Sequence, residues 1–92
     1  MPVSARKLDQ ILVSVLGFER RMGQHQIYIL RVEGKQVART LISHGVREIG
    51  DDLMAVIARQ MGITVSQFKK VISGEIDRDE YIRLLRERGY IE

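Results

Sequence analysis

GQHQIYILRVEGKQVARTLISH, residues 23–44, holds the alternating runs and the glycine turn on which the fold of this chain rests. Two runs rich in β-branched and aromatic residues, QIYILRV and QVARTLIS, flank Glu33-Gly34-Lys35. Valines closing a glycine turn predict a β-hairpin. A two-residue loop at Gly34-Lys35, or a four-residue loop from Glu33 to Gln36, sets Val32 opposite Val37. The same ladder then sets Ile27 opposite Ile42 and His25 opposite His44. A three-residue loop shifts the register by one and parts the two histidines.

FERRM before Gly23 reads as a further strand, so three antiparallel strands are expected between about residues 18 and 44. Upstream, Leu8, Ile11, Leu12, Val15 and Leu16 recur at the spacing of one buried helix face. Ser4 is the expected N-cap of that helix and Gly17 its stop. Downstream, DDLMAVIARQM reads as a helix with Asp at its start for capping and the macrodipole, burying Leu53, Val56, Ile57 and Met61 and ending at Gly62. Thr64-x-x-Gln67 and Asp77-x-x-Glu80 are capping-box patterns opening two more helices, which stop at Gly74 and Gly89. The last of these is expected to bury Tyr81, Leu84 and Leu85. The fold class is α+β: α-β-β-β-α with a three-stranded antiparallel sheet, helices on one face, and two C-terminal helices. Leu8, Leu12, Leu16, Leu53, Ile57, Phe68 and Leu85 are the expected core.

Ninety-two residues, 45% hydrophobic and 29% charged, fit one modest globular domain. No apolar run approaches the roughly 18–20 residues of a membrane span. The N-terminal stretch has helical periodicity, is interrupted by Asp9 and Gln10, and lacks a small-residue cleavage site, so a cytoplasmic location is expected. With no cysteine and only two histidines, a zinc site would have to recruit carboxylates, and neither metal nor cofactor is expected. The net charge of +3 is uneven: residues 1–50 hold eight Lys/Arg against four acids, and residues 51–92 hold seven against eight. A basic half beside a near-neutral remainder fits a polyanion partner such as RNA or DNA. It equally fits a solvated surface with a slight arginine bias.

Directly opposed residues of an antiparallel pair have Cβ atoms about 4.5–5.5 Å apart, so in the expected register His25 and His44 can act on one phosphate. RNA is cut without metal when one imidazole takes the 2′-hydroxyl proton and another group protonates the leaving oxygen. Histidine suits both tasks because its ordinary pKa is about 6.5. Arg20, Arg21, Arg31, Lys35 and Arg39, with Gln24 beside His25, are the expected phosphate and RNA contacts. The competing reading is two histidines on a polar strand end with no chemistry.

The segments GFERRMGQHQIYIL, VARTLISHG and IGDDLMAVIARQMGIT, spanning about residues 8–64, resemble the HicA family of toxins from toxin–antitoxin pairs. Gly17-Phe18 resembles the family's entry to its first strand, and Gly23-Gln24-His25-Gln26 its catalytic stretch. Thr40 to His44 resembles the end of its third strand, and Ile57 to Thr64 the end of its second helix. Gln24 and Gln26 replace the usual Ser and second His, LISHG lacks a common proline, and a 28-residue tail follows. The resemblance implies a fold similar to a double-stranded-RNA-binding domain over residues 1–64, with residues 65–92 as a helical extension packed on it. It also implies a ribonuclease acting on messenger RNA, with His25 as its general acid or base, and a HicB-like antitoxin as partner. No membrane partner is expected, and a homodimer is compatible with the sequence.

The tail carries a pattern that resembles a DNA-binding motif. Ala58, Gly62, Phe68 and Val71 have the spacing of a helix-turn-helix over residues 57–73, exposing Ser66, Gln67, Lys69, Lys70 and Ser73 to DNA. A tight helix corner needs the same small and apolar residues, and the acids at 75–80 disfavour DNA. The third reading is a protein-interaction module whose basic sheet meets an acidic partner.

Overall fold

The structure, a computed structural model, describes residues 3–91. The elements in order are β1 (Val3–Ser4), α1 (Ala5–Gln10, continuing as a π-helical turn over Ile11–Val15), β2 (Glu19–Met22), β3 (His25–Val32), β4 (Lys35–Ser43), β5 (Glu48–Ile49), α2 (Asp51–Met61), α3 (Val65–Ser73) and α4 (Arg78–Glu87). The fold is mixed α+β, with a three-stranded antiparallel sheet in the order β2-β3-β4. The sequence did not announce β1 and β5, which pair Val3 with Ile49 and Ser4 with Glu48.

The hairpin turn sets the register. Glu33 and Gly34 both adopt left-handed backbone, at φ 54° and 80°, so the two-residue loop is Glu33-Gly34. The twist of such a loop matches that of its strands. Val32 therefore pairs with Lys35, and Arg31 with Gln36. A bulge then leaves Val37 as an extra residue, and from Leu30↔Ala38 onward the ladder runs to His25↔Ser43. This corrects the expected register. Val32 does not face Val37, Ile27 faces Leu41 rather than Ile42, and His25 and His44 are not opposed.

Alternation along the strands then sorts the side chains. Tyr28 and Leu30 of β3, and Ala38, Thr40 and Ile42 of β4, turn inward and are buried. They meet Leu8, Leu12 and Leu16 of α1, Met54 and Ile57 of α2, Phe68 and Val71 of α3, and Tyr81 and Leu85 of α4 in one cluster. The C-terminal helices thus share the core of the rest. Thr40 is the one buried polar residue in that core among the described residues, and its hydroxyl donates to Gln60 Oε1 of α2 at 2.6 Å.

Two helix phases differ from expectation. In α1 the Leu16 N–H donates to the Ile11 carbonyl at 2.9 Å, the wider π turn. That turn keeps Leu16 buried and rotates Val15 to solvent, where it is 45% exposed. In α2 the buried set is Met54, Ile57, Ala58 and Met61, at i, i+3, i+4 and i+7. Leu53 is only half-buried and Val56 lies on the outer side. The small Ala58 belongs to the packed face, which turns the helix one residue from the phase read off its larger side chains. Nor does an Asp cap α2: Gly50 is its N-cap, and Asp51 and Asp52 occupy the first turn, where they favour the dipole.

The remaining helix ends follow their signals. Ser4 caps α1, accepting from the Lys7 N–H. Thr64 and Gln67 form the reciprocal capping box of α3 at 3.1 and 3.0 Å. Asp77 accepts from the Glu80 N–H at 2.9 Å, while the Glu80 carboxylate turns to Arg83 instead of closing the box. Gly62, at φ 81°, makes the α2–α3 corner. A Cβ there would approach Leu85 Cδ2 to 2.9 Å and Tyr90 Cε2 to 3.0 Å, so both backbone and space demand glycine. Thr64→Ala removes the acceptor of the α3 cap and is expected to cost about 0.5–2 kcal/mol. A urea midpoint indistinguishable from wild type would refute that role for Thr64.

Candidate nucleic-acid interface

The face of the sheet turned away from the helices follows from the register. Side chains of His25, Ile27, Ile29 and Arg31 alternate with the buried ones of β3, so they share this outer face. Arg21 and Leu41 flank Ile27, Glu19 and Arg39 flank Ile29, and Ser43 pairs with His25. Ile29 is buried although it lies outside the helix-side core, and Ile27 and Leu41 are half-buried. The face therefore has an apolar centre with a charged rim. Arg21, Arg31 and Arg39 stand against the single acid Glu19, which lies 3.7 Å from Arg21. Among the described residues Arg31 and Arg39 have no ion-pair partner.

His25 begins β3 at the corner of this face. Its side chain is exposed and has no hydrogen bond within the described chain, so both ring nitrogens are open to a ligand. Gln24 is exposed beside it in the turn from β2. His44 follows Ser43 past the end of the ladder, and its Nε2 lies 2.9 Å from the Gly23 carbonyl. A carbonyl only accepts, so Nε2 carries the proton and donates it. His44 thereby ties the end of β4 to the turn that carries His25, instead of presenting a second ring directly across from it.

Arg20 belongs to the other side. It pairs across the strands with Tyr28, and its Nη1 donates to both carboxylate oxygens of Asp9 on α1, at 2.9 and 2.7 Å. That bond and the nearby negative charge raise the Arg20 pKa further. The buried Tyr28 hydroxyl donates to Asp9 Oδ1 and lies 2.9 Å from the Gln26 side chain. Burial, then the bond to Asp9, push the Tyr28 phenol well above its ordinary range. Sequence reasoning missed this network. Its signal was Asp9, a lone acid beside the apolar stripe of α1. A cleft of about 270 Å³ opens over the network, between α1 and the ends of β3 and β4.

Lys35 pairs with Val32 and so points to the helix side, beside Tyr90 at the hairpin end. Of the RNA contacts expected from sequence, Arg21, Arg31 and Arg39 share the outer face with His25, Gln24 borders it, and Arg20 and Lys35 leave it. The larger cleft, about 820 Å³ between α3 and α4, lies among Lys70, Glu75, Asp77 and Asp79, apart from both histidines. On α3, Ser66, Lys69, Lys70 and Ser73 are exposed. Gln67 is engaged in the cap and Ser73 donates to the α3 backbone or to Glu75, so two of the five DNA-contact positions are occupied internally. Among the described residues no group of three or more His, Asp or Glu is placed to hold a metal ion, and no helix is long and apolar enough to cross a membrane. No protein family, curated protein or solved structure matches the chain.

Proposed function

We propose that this chain is an RNA-binding domain and a metal-independent ribonuclease of the HicA kind, with the topology of a double-stranded-RNA-binding domain and a helical extension. The supporting observation is that His25 shares the helix-free sheet face with Arg21, Arg31 and Arg39. Guanidiniums bind phosphate through fixed, charge-assisted donors, and a backbone phosphate held near them comes within reach of the His25 ring. His25 then accepts the proton of the adjacent 2′-hydroxyl. The 2′-oxygen attacks phosphorus, and the 5′-oxygen leaves and takes a proton from water. The products are a 2′,3′-cyclic phosphate and a 5′-hydroxyl. An arginine on the same face offsets the charge that grows on the phosphoryl oxygens. Messenger RNA is the substrate class, and a HicB-like antitoxin covering this face is the partner.

Binding through phosphates on an arginine-lined face predicts a steep loss of RNA affinity with added salt. In fluorescence anisotropy with a labelled single-stranded RNA, Arg39→Gln and Arg31→Gln should each weaken binding and flatten the salt slope by about one unit. Lys69→Gln with Lys70→Gln should leave both unchanged. A flat salt response, or a larger loss from the α3 lysines than from the sheet arginines, rules out this surface.

A further inference from the structure

We infer that the cleft between α1 and the ends of β3 and β4 seats a single nucleotide of the RNA strand, next to the phosphate placed at His25. This rests on the RNA-cleaving reading above and names a subsite for it. Ser43 pairs with His25 across the ladder and also lines the cleft, so a strand leaving His25 around this corner of the sheet enters it. At about 270 Å³ the cleft lies just below the roughly 300–1,000 Å³ of small-molecule sites, which limits its occupant to a single unit of the strand.

The lining carries the rest. Arg20 uses only Nη1 on Asp9, which leaves its Nε and Nη2 donors without a partner among the described residues. Arg6 also lines the cleft and has no ion pair among the described residues. Two guanidiniums against one carboxylate leave a net positive site with open, planar donors, the chemistry that recognises a phosphate. Asp9 is held from below by the Tyr28 hydroxyl, so the Arg20 fork is set before a ligand arrives and less freedom is lost on binding. Ile42 and Val46 add an apolar wall, and the Gln26 amide nitrogen adds a donor for a base edge, its oxygen being held by the Tyr28 hydroxyl. Asp9 is a positioning residue in this scheme, and Arg6 and Arg20 are the ligand contacts.

The test is a titration of the full chain with uridine 5′-monophosphate, followed through the NMR signals of Ser43, Gly45 and Val46 and of the arginine side chains. These signals should shift and saturate. Arg6→Gln, an exposed substitution, should weaken the nucleotide by about tenfold, the loss of one charge-assisted contact. Arg39→Gln should leave the nucleotide unaffected while weakening long RNA. Inorganic phosphate should move the guanidinium signals and leave Val46 still. The inference is overturned if the nucleotide leaves these signals unmoved, or if phosphate alone shifts all of them equally, since no base is then seated. A silent titration beside His25-dependent cleavage removes only the cleft. Cleavage that survives in His25→Ala removes only the catalytic reading.

Discussion

His25→Ala is expected to lower the rate of RNA cleavage by about 10²–10⁴-fold, the usual contribution of a general acid or base, and to leave RNA affinity unchanged. The separation follows from the geometry. Binding rests on Arg21, Arg31 and Arg39, whereas the exposed His25 side chain has no hydrogen bond or ion pair within the described chain for its loss to break. Cleavage should also persist with a chelator present. His44→Ala should cost less and by another route. It removes the donor to the Gly23 carbonyl and so loosens the turn from β2 to β3, with the rate recovering part-way in His44→Gln, whose amide can donate to the same carbonyl. Purified His25→Ala protein that cuts RNA as fast as wild type would falsify the catalytic assignment. A His44→Ala loss as deep as that of His25 would show that His44 itself takes part in the chemistry.

Tyr81→Ala is expected to destabilise the fold by about 3–5 kcal/mol, the range for truncating a large buried aromatic. The ring is fully buried and stacks on Phe18 at 6.0 Å between centroids. Its hydroxyl donates to the Met61 carbonyl at the end of α2, at 2.7 Å. One side chain thus joins α4, α2 and the entry to the sheet. Against a total stability of roughly 5–15 kcal/mol, its loss removes between about a fifth of that stability and all of it. Tyr81→Phe keeps the ring and should cost nearer to 1 kcal/mol, the price of an unmade hydrogen bond. Urea unfolding should show one cooperative transition for sheet and tail together. Two separate transitions, or a Tyr81→Ala cost below about 1 kcal/mol, would show that the tail is only appended. Burial also raises the Tyr81 phenol above its ordinary range, as it does for Tyr28. Both phenols therefore contribute stability that is complete below about pH 10 and is lost as the pH rises beyond it.

Much of the local structure was legible because its causes are local. Left-handed glycines at 17, 62, 74 and 89 end helices, and Thr64 and Asp77 cap the helices that follow them. The Tyr81, Leu84, Leu85 face of α4 was also right, since no small residue competes for its buried side. The candidate site was legible only in part. Residue type marked His25 and the arginines, but which of them share a face is a matter of parity along β3 and β4. Parity turns on single residues. A loop at Glu33-Gly34 in place of Gly34-Lys35, followed by a bulge at Val37, was enough to replace His44 by Ser43 opposite His25.

The α+β class, the three-strand hairpin region, the glycine ends of the helices and the exposed basic residues were readable from the residues alone, because each follows from propensity, capping or period within a few neighbours. The register, the π turn that exposes Val15 and the one-residue rotation of α2 about Ala58 arise in the packing of the whole chain. The same packing assembled Asp9, Arg20 and Tyr28, and it set His44 against Gly23. The register, the π turn and the rotation of α2 are competitions between near-equal local arrangements, settled by which one fills the common core and leaves no buried polar side chain unpaired among the described residues; the polar contacts follow from the positions that packing sets.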